Sequence, residues 1–133
     1  MKSERYLWRG LLFAILVLHG CSTAAMVGAG AGAGLGTYSY IKGELTAQYP
    51  YPLDQTWNAS LTALERLEIK VTAQERDALA GKIQGKRGDG KSVVLRIENK
   101  GLGVTAVGVR VGTFGNQEAS RKIHQTILNV LEG

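Results

Sequence analysis

Residues 92–111 read SVVLRIENKGLGVTAVGVRV, two runs of alternating side chains separated by a glycine-punctuated turn. In the first run Val93, Leu95 and Ile97 share one face against Val94, Arg96 and Glu98, the pattern of a half-buried strand. Gly101 and Gly103 mark the turn, after which Val107, Val109 and Val111 share a face while Arg110 points away. Working toward the amino terminus, Gly88 to Gly90 form another turn around Asp89. Asp77 to Lys86 continues the alternation with Leu79 and Ile83 facing one way, and Ile69 to Ala73 alternates before it. The period then changes. Leu53, Trp57, Leu61, Leu64 and Leu67 recur at helical spacing and make one apolar stripe, with Trp57 as its largest anchor. Tyr38 to Tyr49 reads as a first strand with Leu45, Ala47 and Tyr49 inward, closed by Pro50 and Pro52.

Past Val111, a final helix from Gln117 to Leu131 turns Ala119, Ile123, Ile127 and Val130 or Leu131 inward, with Asn116 as its N-cap. Two amphipathic helices and a one-sided sheet bury their apolar surfaces together only if both helices pack on the same sheet face. The expected fold class is therefore α+β: a two-layer domain over residues 38–133 with an antiparallel sheet and two helices on one face, in the order β-α-β-β-β(-β)-α.

Within this domain no constellation names a reaction. Gly85-Lys86-Arg87-Gly88-Asp89-Gly90-Lys91-Ser92 fits the phosphate-loop pattern letter for letter, but a strand-like run follows where a helix is required, so a basic hairpin turn is expected. His124, beside Ile123, reads as a surface histidine without metal-ligand partners. Glu65, Glu68, Glu75, Asp77 and Asp89 have no spacing that obliges two carboxylates to share a pocket. Two groups remain as an expected interaction surface: Tyr38 and Tyr40, which alternation puts on one face, and the basic Lys82, Lys86, Arg87 and Lys91, suited to anionic headgroups. No catalytic, metal-ligating or cofactor-binding residue is assigned, and no cofactor is expected.

The start of the chain carries the clearest signal. Lys2, Arg5 and Arg9 precede the apolar run Leu11 to Leu18, the form of an export signal. As a helix this run rises only about 12 Å, too short for roughly 30 Å of hydrocarbon. Leu18-His19-Gly20-Cys21 follows and resembles the bacterial lipoprotein cleavage box, although His19 departs from the small or uncharged residue usual there. The resemblance implies cleavage before Cys21 and acylation of its thiol, and Cys21 is the one cysteine of the chain. Two or three acyl chains anchor a protein stably where one is marginal. Residues 1–20 thus read as a lipoprotein signal peptide, and 21–37 as the lipidated cysteine with a Gly/Ala-rich spacer. Alternatives are an uncleaved span from Gly10 to about Thr37, or a glycine face at 28, 32 and 36 for helix packing in the bilayer.

The chain has 133 residues and a formal charge of +5 from 16 bases and 11 acids. Removing residues 1–20 takes away three bases and one acid, which leaves 113 residues and a charge of +3. Much of the basicity is then targeting, and nucleic-acid binding loses its support. A single cysteine excludes an internal disulfide and any cysteine-cluster metal site within one chain.

Gly43-Glu44-Leu45 through Tyr49-Pro50, Leu53-Asp54-x-x-Trp57, Asp77 to Ile83, and Arg110-Val111-Gly112-Thr113-Phe114-Gly115 before the last helix resemble a bacterial lipoprotein family, domain-of-unknown-function family 3568. The resemblance covers about residues 38–131 plus the lipoprotein start, and it brings no catalytic residues. It implies a small exported lipoprotein. In Arg110 to Gly115, Phe114 is expected to plug the junction between sheet and helix. Ser22 after the cysteine resembles outer-membrane sorting, so the expected location is the bacterial envelope, facing the periplasm, outer membrane favoured over inner. The expected partners are membrane lipid through Cys21 and an envelope protein or glycan. A small enzyme with a pocket assembled from dispersed polar groups, or a membrane-inserting or self-associating protein, are the alternatives.

Overall fold

The computed structural model describes residues 37–133. Cys21, the signal segment and the glycine run lie outside the described residues.

The elements follow in the order β1 (Ser39–Ile41), β2 (Glu44–Tyr49), α1 (Leu53–Arg66), β3 (Lys70–Arg76), β4 (Ala80–Lys86), β5 (Ser92–Gly101), β6 (Val104–Val111) and α2 (Gln117–Glu132). The six strands form one antiparallel sheet in the spatial order β1-β2-β6-β5-β4-β3. Both helices pack on one face, so the α+β, two-layer expectation holds. The order is corrected in one place, where the single strand over Tyr38 to Tyr49 is a hairpin of two. Lys42 and Gly43 both adopt positive φ, 51° and 84°, which is what a two-residue hairpin turn requires. Apolar Ile41 has the spacing of Leu45 and Ala47 along one strand, although the turn pairs it with Glu44 on the other face, so period alone does not reveal the turn. The optional strand after the first helix is present, giving four between the helices.

The helix-side face carries the core. Register aligns Leu45 with Val109, Val109 with Leu95, and Leu95 with Ile83. Ile83, Leu95 and Val109, together with Val93, Ile97, Val107 and Val111, meet Leu53, Trp57, Ala63 and Leu64 of α1 and Ile123 and Ile127 of α2. Trp57 needs room at the sheet, and Gly81 supplies it: a Cβ there would lie 2.3 Å from the indole. Arg76 covers the same ring, its guanidinium carbon 5.4 Å from the ring centroid, and pairs with Asp54 at the start of α1. Neither described helix packs on the opposite sheet face. There Glu44 lies across Gly108 to reach Arg96 at 3.4 Å, so the open face is polar where it crosses the sheet centre.

Helix ends follow local chemistry. Asn116 caps α2, its side chain accepting from the Ala119 N–H at 3.0 Å. After α1 the chain reverses through Glu68 at φ 58°, with the Glu68 N–H donating to Glu65 O and the Ile69 N–H to Leu64 O, the paired bonds of a Schellman termination. Two expected inward residues are outside the core. Leu79 is 68% exposed because it sits in the β3–β4 turn, where Asp77 Oδ1 accepts from the Leu79 and Ala80 N–H groups. Phe114 is 92% exposed, so it plugs nothing; the close approach at that junction is made by glycine backbone instead.

Candidate functional site

Histidine 124 is fully buried, which overturns its reading as a surface residue. Helical spacing over two turns places Ser120, Ile123, His124 and Ile127 on the inward side of α2, and the imidazole meets the sheet layer at β2. Its Nε2 lies 2.7 Å from the Leu45 carbonyl, which can only accept, so Nε2 carries the hydrogen. Nδ1 is then the acceptor for the Tyr49 hydroxyl at 2.6 Å, and that hydroxyl also lies 3.2 Å from the His124 carbonyl. The Tyr38 ring stands edge-on to the imidazole with centroids 5.4 Å apart, and Arg121 lies over the outer side of Tyr38 at 5.6 Å.

Electrostatics follow from this enclosure. Burial pulls the imidazole down to about 4, against the Leu45 carbonyl, which acts the other way. Burial also pushes the Tyr49 phenol up, with Tyr38 adding to it. Tyr38 is raised by partial burial and held back by Arg121. The neutral pair ties α2 to β2: each imidazole nitrogen is committed to a protein group, so the ring is a structural link with no free base to offer a substrate.

A cleft of about 620 Å³ opens next to this link, between the amino-terminal half of α2, the end of α1 and the β4–β5 hairpin. Leu67, Ile69 and Ile123 supply its apolar surface, and Arg87, Arg121 and Lys122 bring positive charge to it, opposed by Glu118. Arg121 therefore belongs both to the cleft and to the cover of Tyr38. The arrangement suits an anionic or amphipathic ligand; two apolar walls and several cations carry no nucleophile with its own base.

The expected surface residues separate. Tyr38 is half-buried on the helix side, and Tyr40, on the same face of β1, is 40% exposed at the sheet edge. Lys82 stands in mid-strand on the open face opposite Arg96 and Glu75. Lys86, Arg87 and Lys91 lie together at the β4–β5 hairpin, where Arg87 and Lys91 close the turn and Asp89 accepts from the Lys91 N–H. The phosphate-loop letters are thus spread over a strand end, a hairpin turn and a strand start. Arg121 and Lys122 are the residues the sequence reading missed. Their only signal is position: both lie on the outer side of the first two turns of α2. Among the described residues no three His, Cys, Asp or Glu side chains are grouped to hold a metal ion, and no helix is long and apolar enough to cross a membrane.

The sequence matches, over residues 7–129, the model of a family described as protein of unknown function (DUF3568). No curated protein matches it.

Proposed function

Because the chain belongs to the DUF3568 family, we propose that it is a lipid-anchored module of the bacterial envelope that binds or supports another envelope component and performs no catalysis. The observation that carries this reading is Leu18-His19-Gly20-Cys21 behind a basic segment and an apolar run too short to span a bilayer. Acylation of Cys21 explains the lone cysteine, its position and the length of the run together. The domain's own chemistry supports the same reading. Its one buried histidine is spent on a link between helix and sheet, and its accessible features are a cleft and charged surfaces of the kind that recognise a partner. The periplasmic face of the outer membrane is the location that Ser22 favours.

Mass analysis of the mature amino-terminal peptide, from separated inner and outer membranes, tests this. A diacylated or triacylated Cys21 at the start of the chain is the expected result. An unmodified Cys21 in a peptide still joined to residues 1–20 overturns it.

A further inference from the structure

We propose that one end of the sheet is a docking surface for anionic phospholipid, so that the domain lies with that end on the bilayer; the inference rests on the lipid-anchor reading above. Three connections meet at this end. The Lys42–Gly43 turn packs against the loop after β6, so closely that a Cβ on Gly43 would lie 2.6 Å from the Phe114 carbonyl oxygen. Arg110 Nη2 donates to the Lys42 carbonyl at 2.5 Å. The same loop is tied to the β4–β5 hairpin by the Gly112 N–H, which donates to Ser92 O at 2.7 Å.

This end combines the two ingredients of an interfacial contact. Phe114 is 92% exposed and Ile41 65% exposed, both at tight turns where neither side chain has a core to enter. Around them stand Lys42, Lys86, Arg87 and Lys91, with Lys70 directly opposite Lys86 across β3 and β4. Like charges placed opposite one another on neighbouring strands oppose folding, and a bound anionic surface relieves that repulsion. Lys122 and Arg121 continue the positive charge along the cleft. The acids at this end are Glu44, already 3.4 Å from Arg96, Asp89, already 3.6 Å from Arg87, and Glu65, Glu68 and Glu118 on the flank.

The far end of the sheet argues the choice of face. It also exposes apolar residues, Leu79 and Leu102, but there Arg76 and Lys100 are already paired with Asp54 and Glu98, and Asp77 and Glu132 leave a net negative charge that an anionic bilayer repels. Reach poses no obstacle. The connection from residue 22 to residue 37 spans at most about 55 Å when fully extended, and the domain begins beside Arg121, at the edge of the positive end. Apolar tips surrounded by Lys and Arg gain from burial in the interface and from the negative surface potential at once.

The test uses the full protein purified from membranes and reconstituted into vesicles of phosphatidylcholine, with or without phosphatidylglycerol, some carrying bromine on the acyl chains. Phe114→Trp, at an exposed position that leaves the core intact, adds an indole whose fluorescence bromine quenches on contact. Expected is quenching of the added signal in the anionic vesicles, several-fold weaker in phosphatidylcholine alone. The ratio of docked to undocked protein derived from that quenching falls about fivefold for each cation neutralised in Lys86→Gln and Arg87→Gln, with unchanged circular dichroism. An added indole that stays unquenched in anionic vesicles overturns the proposal, and so does equal quenching in both compositions. Mass analysis of the Cys21 peptide from the same preparation separates the two readings: acylated Cys21 without quenching leaves the anchor standing and removes the docking surface, whereas quenching with unmodified Cys21 keeps the surface and removes the anchor.

Discussion

A neutral imidazole closed into the core makes His124 the residue through which this domain senses acid. Its folded value of about 4 lies below the ordinary 6.5, so between these values the unfolded chain holds the extra proton. Stability from this group is complete above 6.5 and is lost as pH falls through about 4, a total of roughly 3 kcal/mol. Asp77, lowered by the Leu79 and Ala80 N–H groups, adds its loss only below its ordinary 3.8. Urea midpoints measured from pH 7 to pH 4 should therefore decline, whereas His124→Phe, less stable at neutral pH because it gives up the donor to Leu45, should show a flatter profile; an equally steep profile would place the acid sensitivity elsewhere. Tyr49→Phe removes the hydroxyl that serves Nδ1 and leaves a buried acceptor unpaired, for an expected loss of about 1–3 kcal/mol by the same measurement. The sequence could not expose this link. Ile123 and Ile127 mark the inward side of α2 clearly, but whether the histidine beside Ile123 turns in or out depends on partners 75 and 79 residues away, Tyr49 and the Leu45 carbonyl.

Helix ends, and not helix interiors, offer the sharpest predictions for the elements. Glu68 holds a left-handed conformation, φ 58°, at the position where a Schellman termination prefers glycine. Its side chain is exposed, so Glu68→Gly relieves strain without opening a cavity and should stabilise the domain by about 1 kcal/mol, read as a higher thermal midpoint. Asn116→Ala should do the reverse, removing the acceptor for the Ala119 N–H at a cost of about 1 kcal/mol. If both changes shift the midpoint in one direction, the assignment of these caps fails. The interiors were legible because Leu53 to Leu67 and Ala119 to Leu131 repeat at helical spacing. Strand limits were harder to read. Ile41 has the apolar spacing of Leu45 and Ala47 although the Lys42–Gly43 turn puts it on the opposite face, and Leu79 has the spacing of a strand residue although Asp77 organises a turn around it. Phe114 misled for a related reason: a large apolar side chain between glycines suggests a plug, but Gly43 and Gly115 bring their backbones too close for one.

At the scale of the whole molecule, two layers were legible because two helical stripes and several one-sided strands have only one economical way to bury their apolar faces. Which surfaces would be left for partners was not, since Lys82 and Lys86 share an alternating run yet end on the open face and at the sheet end respectively. The finished sheet is guarded against pairing with other chains. Its edge β1 has only three residues, and its other edge, β3, carries Lys70, Glu75 and Arg76 and an irregular register between Val71 and Ala73. Among the described residues the core cluster runs from Tyr38 to Leu131 and draws on both helices and the sheet. A chain begun at Thr37 should accordingly unfold in one cooperative step. Calorimetric and van't Hoff enthalpies should agree near 0.7 kcal/mol per residue, about 70 kcal/mol in all. A broad transition with a much smaller calorimetric enthalpy would mean that the preceding segment is needed for the fold. In that case an anchor and a headpiece could not act as the separable parts that the proposed function requires.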